Sequence, residues 1–239
     1  MFSSNCEIRY TLIVAAAGVG KRMGLSYPKQ FLEYKGKPLF INVLETGEKS
    51  ERITDIVIVT GKELINEVKA ACEKFGIKKV KFIAEGGKER QDSIYNALKF
   101  CDENSFIAVQ DGVRPFFKES YLEDAFNELK SNEDIDGVVI GVSVKDTIKI
   151  VDERGIVVST PVRSTLVAAQ TPQVFRGKIL IDAYKKAEKE KFLGTDDSSL
   201  VEKYGGKVKI SAGDYGNIKI TTIEDISFLK QEGEIKWKF

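Results

Sequence analysis

The sequence predicts an α/β fold: a mostly parallel sheet with helices on both faces and an inserted β-arm. Three observations carry the prediction. Short β-branched apolar runs alternate with segments of helical periodicity, the pattern of parallel strands joined by crossover helices. The first apolar run empties into a loop rich in glycine and cations. The alternation then breaks once, over about residues 145–169, where strand-like stretches follow one another with no helix between them. Such a sheet is Rossmann-like, and its ligands sit beyond the carboxyl ends of the strands.

The elements follow in order. Residues 10–15 (Y-T-L-I-V-A) form the first strand. Residues 53–60 read as a buried strand, and 62–75 as a helix with Leu64, Ile65, Val68 and Cys72 on one face, stopping before Gly76. A strand over 80–84 leads to a helix over 89–100 that turns Ile94, Ala97 and Leu98 inward. Strand 106–109, helix 121–129 and strand 137–144 continue the rhythm. The break comes next, as a hairpin-like excursion turning around Asp152 and Gly155. An amphipathic helix over 177–191, a shorter one over 195–204 and a strand over 207–211 follow. A last helix covers 222–231, with Thr222 as its N-cap. No repeat or low-complexity linker divides the chain, so residues 1–239 read as one domain carrying the arm.

Composition narrows the chemistry. The chain holds 37 Lys and Arg against 36 Asp and Glu, so any cationic site must be local, and no basic, aromatic-studded face suggests nucleic acid. It contains no histidine, which excludes Ser-His-Asp hydrolysis, Cys-His proteolysis and zinc bound through His. Cys6, Cys72 and Cys101 are widely spaced and form no C-x-x-C, the usage of reduced thiols in a cytoplasmic protein. Residues 1–10 have no apolar signal segment, and the longest apolar run, about 12–19, is too short to span a bilayer.

The sharpest local signal is A-A-A-G-V-G-K-R-M-G-L-S-Y-P-K, from Ala15 to Lys29. Small residues admit a ligand close to the backbone, and backbone N–H groups followed by cations suit a polyphosphate. The spacing is neither a Walker loop nor a clean dinucleotide fingerprint. Two more clusters lie at strand ends. Gly86-Gly87-Lys88-Glu89-Arg90-Gln91-Asp92-Ser93 opens a helix, and its acids alone make a good helix start. Val109-Gln110-Asp111-Gly112-Val113-Arg114-Pro115 puts an acid, a glycine and a proline-held arginine where open sheets bind ligands. A solvated Asp–Arg pair is the plainer reading of that loop.

The pattern A-A-G-x-G-x-R-M followed by P-K-Q resembles the nucleotide-sugar pyrophosphorylase-like nucleotidyltransferases. Within them the chain most resembles the 2-C-methyl-D-erythritol 4-phosphate cytidylyltransferase family. G-G-x-x-R-x-x-S, D-x-x-R-P, T-P-V-R, T-D-D and N-I-K-I-T recur in that family's order over residues 10–228. The resemblance implies transfer of CMP from CTP to the sugar-alcohol phosphate, with release of pyrophosphate. It implies nucleotide contacts from Ala16, Ala17, Gly18, Gly87 and Ser93, and catalytic cations at Arg22, Lys29, Arg163 and Lys219. Asp111, Arg114, Thr147, Arg163 and Lys219 would hold the acceptor, with Thr147 and Arg163 gripping its phosphate. Mg²⁺ would travel mainly on the CTP phosphates, with no dedicated protein metal site, although Asp111 could touch it directly or through water. In this family the arm crosses to a second subunit, so a homodimer is implied. Departures are Lys88 where the family often has an acid, Gln110 in place of His and Gly112 in place of Ala. T-D-D reads here as an N-cap without a catalytic role. A ribitol 5-phosphate cytidylyltransferase, whose first loop tends to read L-A-G-G, shares most of these motifs; a non-catalytic nucleotide-binding regulator on the same fold is a second rival, against which the retention of Arg22, Lys29 and Lys219 speaks.

Overall fold

The computed structural model describes residues 9–18, 27–232 and 235–236. Seven strands form the main sheet: β1 (Tyr10–Ala15), β4 (Asp55–Thr60), β5 (Val80–Glu85), β6 (Phe106–Asp111), β7 (Gly137–Ser143), β10 (Val167–Arg176) and β11 (Val208–Ala212). Their order is β11-β7-β10-β6-β1-β4-β5. Pairings are parallel except those of β10, which runs antiparallel between β6 and β7.

Strands such as V-V-I-G-V and I-V-I-V read as unbroken apolar runs because the sheet is covered on both sides. On one face Leu12, Val14, Ile56, Ile58 and Ala108 pack against α1 (Leu39–Lys49), α2 (Ile65–Lys74) and α4 (Glu119–Ser131). On the other, Ile13, Val57, Val59, Ile107 and Val109 meet α3 (Arg90–Leu98), α5 (Gly177–Glu190) and α6 (Asp197–Lys203). Each fully buried Leu or Ile contributes about 1.5–3 kcal/mol. Both faces thus fix the carboxyl edge, where the loops collect.

Two elements go beyond the sequence reading. Residues 29–49, to which the sequence pattern assigns no element, form a 3₁₀ turn (Lys29–Phe31), the short strands β2 (Glu33–Tyr34) and β3 (Lys37–Pro38), and α1. In α1 Gly47 lies against the sheet: a Cβ there would come 2.6 Å from Leu12 Cδ2. The last residues of the stretch read as the arm, from Val167, already belong to β10, with Val167 opposite Ser143, and the strand runs on to Arg176 where the sequence reading assigns no element. The arm therefore leaves and rejoins the sheet at the carboxyl edge. Its hairpin is β8 (Ile150–Val151) with β9 (Val157–Ser159), turning where the sequence places it.

One boundary is corrected. The last helix, α7 (Asp225–Glu232), starts three residues after Thr222. The Asp225 carboxylate accepts the N–H groups of Thr221 at 2.7 Å and Thr222 at 2.9 Å, so the acid at the helix start caps the loop before it. A strand β12 (Ile235–Lys236) pairs with β2. A third apolar cluster of Leu32, Tyr34, Leu39, Val113, Ile220, Ile226 and Leu229 ties the segment after Lys29, the loop after β6 and α7 into one platform. No helix among the described residues is long and apolar enough to cross a membrane.

Candidate active site

Two loops meet at the carboxyl ends of β1 and β5. Ala16 extends β1, its N–H donating to Val59 O at 2.8 Å, and its carbonyl accepts from the buried Gln30 amide at 2.6 Å. Gly86 touches Ala17 so closely that a Cβ would lie 2.6 Å from the alanine methyl, and a Cβ on Gly87 would lie 2.2 Å from Asp92 Cβ. Gly86 therefore lets the loop after β5 close on the loop after β1, and Gly87 lets it fold tightly into the start of α3. Ser93 Oγ accepts from Gly87 N and donates to Glu89 O, both at 3.0 Å. Its hydroxyl fastens the turn to α3. Gly18 is exposed, with open space around it. Arg22 lies outside the described residues.

Lys29 opens the 3₁₀ turn behind Pro28, and its Nζ donates to Ile220 O at 2.9 Å. That bond sets the lysine beside the segment that carries Lys219. Gly112 lies over the same place, because its N–H donates to Ala15 O at 2.9 Å and a Cβ would stand 3.0 Å from that oxygen. Glycine in place of the family's alanine relaxes a tight crossing.

Asp111 is the last residue of β6, and only 4% of it is exposed. Lys219 Nζ stands 2.9 Å and Arg114 Nε 3.3 Å from Oδ2, while Arg90 Nε is 3.5 Å from Oδ1. Burial pushes this carboxyl up, but Lys219, Arg90 and Arg114 outweigh burial and hold it well below the usual carboxylate range. The plain reading, a solvated Asp–Arg pair, fails because both partners are buried. Backbone ties complete the knot. Asp111 N donates to Thr171 Oγ1 at 3.1 Å, Asn217 Nδ2 to Thr171 O at 3.0 Å, and Arg114 to Asn217 O at 2.6 Å. Asp111, Arg114 and Lys219 are thus brought together as the motifs imply.

The sequence reading missed Arg90 and Asp197 as site residues. Arg90 makes a two-pronged pair with the fully buried Asp197, at 3.0 and 2.7 Å, and Tyr184 OH also donates to that carboxylate. Burial, and then the Asp197 charge, push the Tyr184 phenol up, so it remains a donor. The expected N-cap in T-D-D is Asp196, which accepts from Ser199 N at 2.9 Å. The second acid faces inward, a direction no spacing rule distinguishes. Gln173 braces this end of α6 through Ser198 N and Asp196.

Thr147 and Arg163 are not part of the knot. Both are exposed on the arm, where Arg163 donates to Lys145 O at 3.0 Å. No hydrogen bond or ion pair among the described residues links them to Asp111 or Lys219. The arm also exposes Ile150, Val151, Ile156, Val157, Val158 and Val162.

The carboxylate best placed to touch a Mg²⁺, Asp111, is occupied by cations. No group of three or more potential ligands gathers among the described residues, and both Asp111 oxygens already face cations. A metal carried by a triphosphate would be held by phosphate oxygens.

The family model for 2-C-methyl-D-erythritol 4-phosphate cytidylyltransferase (IspD) matches residues 10–231. The protein of that name from Fusobacterium nucleatum is 51% identical over 96% of this chain and 100% of its own length. The one from Geotalea uraniireducens is 44% identical over 93% of this chain and 97% of its own. Among solved structures, 4-diphosphocytidyl-2C-methyl-D-erythritol synthase from Anaerococcus prevotii superposes with a TM-score of 0.81 at 34% identity, covering 94% of this chain and 96% of the other. With the family model, these relatives and the sheet in agreement, the chain belongs to the 2-C-methyl-D-erythritol 4-phosphate cytidylyltransferase family.

Proposed function

We propose that this protein transfers CMP from CTP to 2-C-methyl-D-erythritol 4-phosphate, releasing pyrophosphate, in non-mevalonate isoprenoid precursor synthesis. The observation that carries the proposal is the Asp111 knot, where Arg114 and Lys219 are preset at the carboxyl edge and Lys29 is tied to the neighbouring carbonyl. The full-length likeness to proteins of that name supports it. An oxygen of the acceptor phosphate attacks the α-phosphorus of CTP in line. The new P–O bond forms as the bond to the β-phosphate bridging oxygen breaks, and pyrophosphate takes that electron pair. A phosphate monoester with a second pKa of ~6 is already a nucleophile near neutral pH, so no general base is required of a chain without histidine.

The obstacle is anionic charge. Arg22 and Lys29 stabilise the charge gathering in the transition state, as preorganised cations do in phosphoryl transfer. Lys219 and Arg163 hold the attacking phosphate, Thr147 supplies a hydroxyl to it, and Asp111 and Arg114 bind the acceptor. Ala16, Ala17, Gly18, Gly87 and Ser93 form the nucleotide platform. Mg²⁺ carried by CTP offsets triphosphate charge. The apolar arm, exposed in a single chain, favours a homodimer in which Thr147 and Arg163 serve the partner's site. The reading is of a cytoplasmic enzyme of one domain, with no nucleic-acid or membrane partner.

The test is pyrophosphate release with CTP and Mg²⁺, comparing methylerythritol 4-phosphate with ribitol 5-phosphate. Release with the first alone is expected. Release with the second alone moves the acceptor, and CTP binding without release points to a regulator. Lys29→Ala or Arg22→Ala should lower kcat by roughly 10²–10³, the scale for one lost electrostatic donor.

A further inference from the structure

Five groups of alternating role run in a line through the molecule: Tyr184, Asp197, Arg90, Asp111 and Lys219. Arg90 is the middle member. It leaves the first turn of α3, three residues after Gly87, yet it turns away from that loop and lies between two buried carboxylates. Each of its terminal nitrogens donates one N–H to Asp197, which fixes the plane of the guanidinium. In that plane Nε faces Asp111 Oδ1 across an ion pair of 3.5 Å. Asp197 is itself immobilised, because α6 is braced on β10 through Gln173.

We propose that Arg90 is a positioning residue: clamped by Asp197, it orients the Asp111 carboxylate and through it Lys219 for the acceptor. The inference rests on the acceptor role given above to Asp111 and Lys219. With Oδ1 held by Arg90, Oδ2 is left for Lys219 and Arg114. Without Arg90 the carboxylate loses the cation on its Oδ1 side, and only the pairs at Oδ2 are left to set its rotation and the place of Lys219. A planar guanidinium can serve two carboxylates at once, whereas an ammonium is a single point charge.

The competing view is that the Arg90–Asp197 pair only pins α6 to α3. A double-mutant cycle separates the two. Arg90→Lys is made in the wild type and in Asp111→Asn, and KM is measured for CTP and for methylerythritol 4-phosphate. The expected result is an acceptor KM raised about tenfold by Arg90→Lys, with the CTP KM unchanged. In the Asp111→Asn background the same substitution has little further effect. Additive effects, or equal rises in both KM values, overturn the inference alone. An Asp111→Asn enzyme with an unchanged acceptor KM overturns the acceptor role of Asp111 and the inference with it. Should Arg90→Lys fail to fold, Asp197→Asn, which keeps the shape of the clamp, carries the same cycle. If both unfold, the pair is purely structural and the inference falls.

Discussion

The Asp111 knot and the arm both carry residues assigned to the acceptor, but they are built in opposite ways. In the knot Asp111 and Asp197 are buried; Asp111 faces Lys219, Arg90 and Arg114, and Asp197 faces Arg90, all within the same chain. On the arm Thr147 and Arg163 stand in solvent beside exposed valines and isoleucines. The knot is finished within one chain, and its geometry is paid for in folding. The arm is a set of groups without surroundings, and the proposed dimer supplies them. Substitutions in the knot should therefore cost stability as well as activity, while those on the arm should cost activity or assembly alone.

The largest expected effect sits at Asp197. Asp197→Ala leaves Arg90 without its two-pronged partner and Tyr184 without its acceptor. Breaking a buried pair from one side costs about 3–5 kcal/mol, which a urea midpoint measures directly. A loss below about 1 kcal/mol would mean that the knot is not the rigid half of the site. Next in size is Arg163→Ala. It removes charge-assisted hydrogen bonds to the acceptor phosphate, and its acceptor KM should rise roughly tenfold with folding stability and CTP affinity unchanged. A selective loss of CTP binding would dissolve the assignment of the arm.

The same contrast marks what could be read in advance. The sheet and most helices were legible because buried strands and amphipathic helices write their periodicity into the residues, as with Ile94, Ala97 and Leu98. Asp111, Arg114 and Lys219 were legible through resemblance, and the structure brings them into contact. Four features were not legible. Helix α1 hides behind an apolar start and an internal glycine, and that glycine is explained only by Leu12 packed over it. Strand β10 carries Gln170, Thr171, Pro172 and Gln173, whose polar side chains suggest a loop until the knot gives Gln170, Thr171 and Gln173 partners. The clamp of Arg90 by Asp197 joins residues 107 positions apart, and each alone looks like an ordinary helix-start charge. Thr222 has the chemistry of an N-cap, but Asp225 wins by accepting two backbone N–H groups at once.

The smallest expected effect on the fold, and the one that sharpens the contrast most, is Val158→Asp. Val158 is 67% exposed in β9, so a carboxylate there remains hydrated in the isolated chain. Stability measured at concentrations where the chain is monomeric should change by no more than about 0.5 kcal/mol, as for an ordinary surface substitution. Two copies associating through the arm would instead have to bury that charge in an apolar contact, which is costly without a partner ion. Sedimentation should then show a dimer in the wild type and monomers in the variant, with the acceptor KM rising as it does for Arg163→Ala. A variant that remains dimeric would leave the arm's valines without a role in assembly. One that unfolds as a monomer would show that the arm, like the knot, is completed within its own chain.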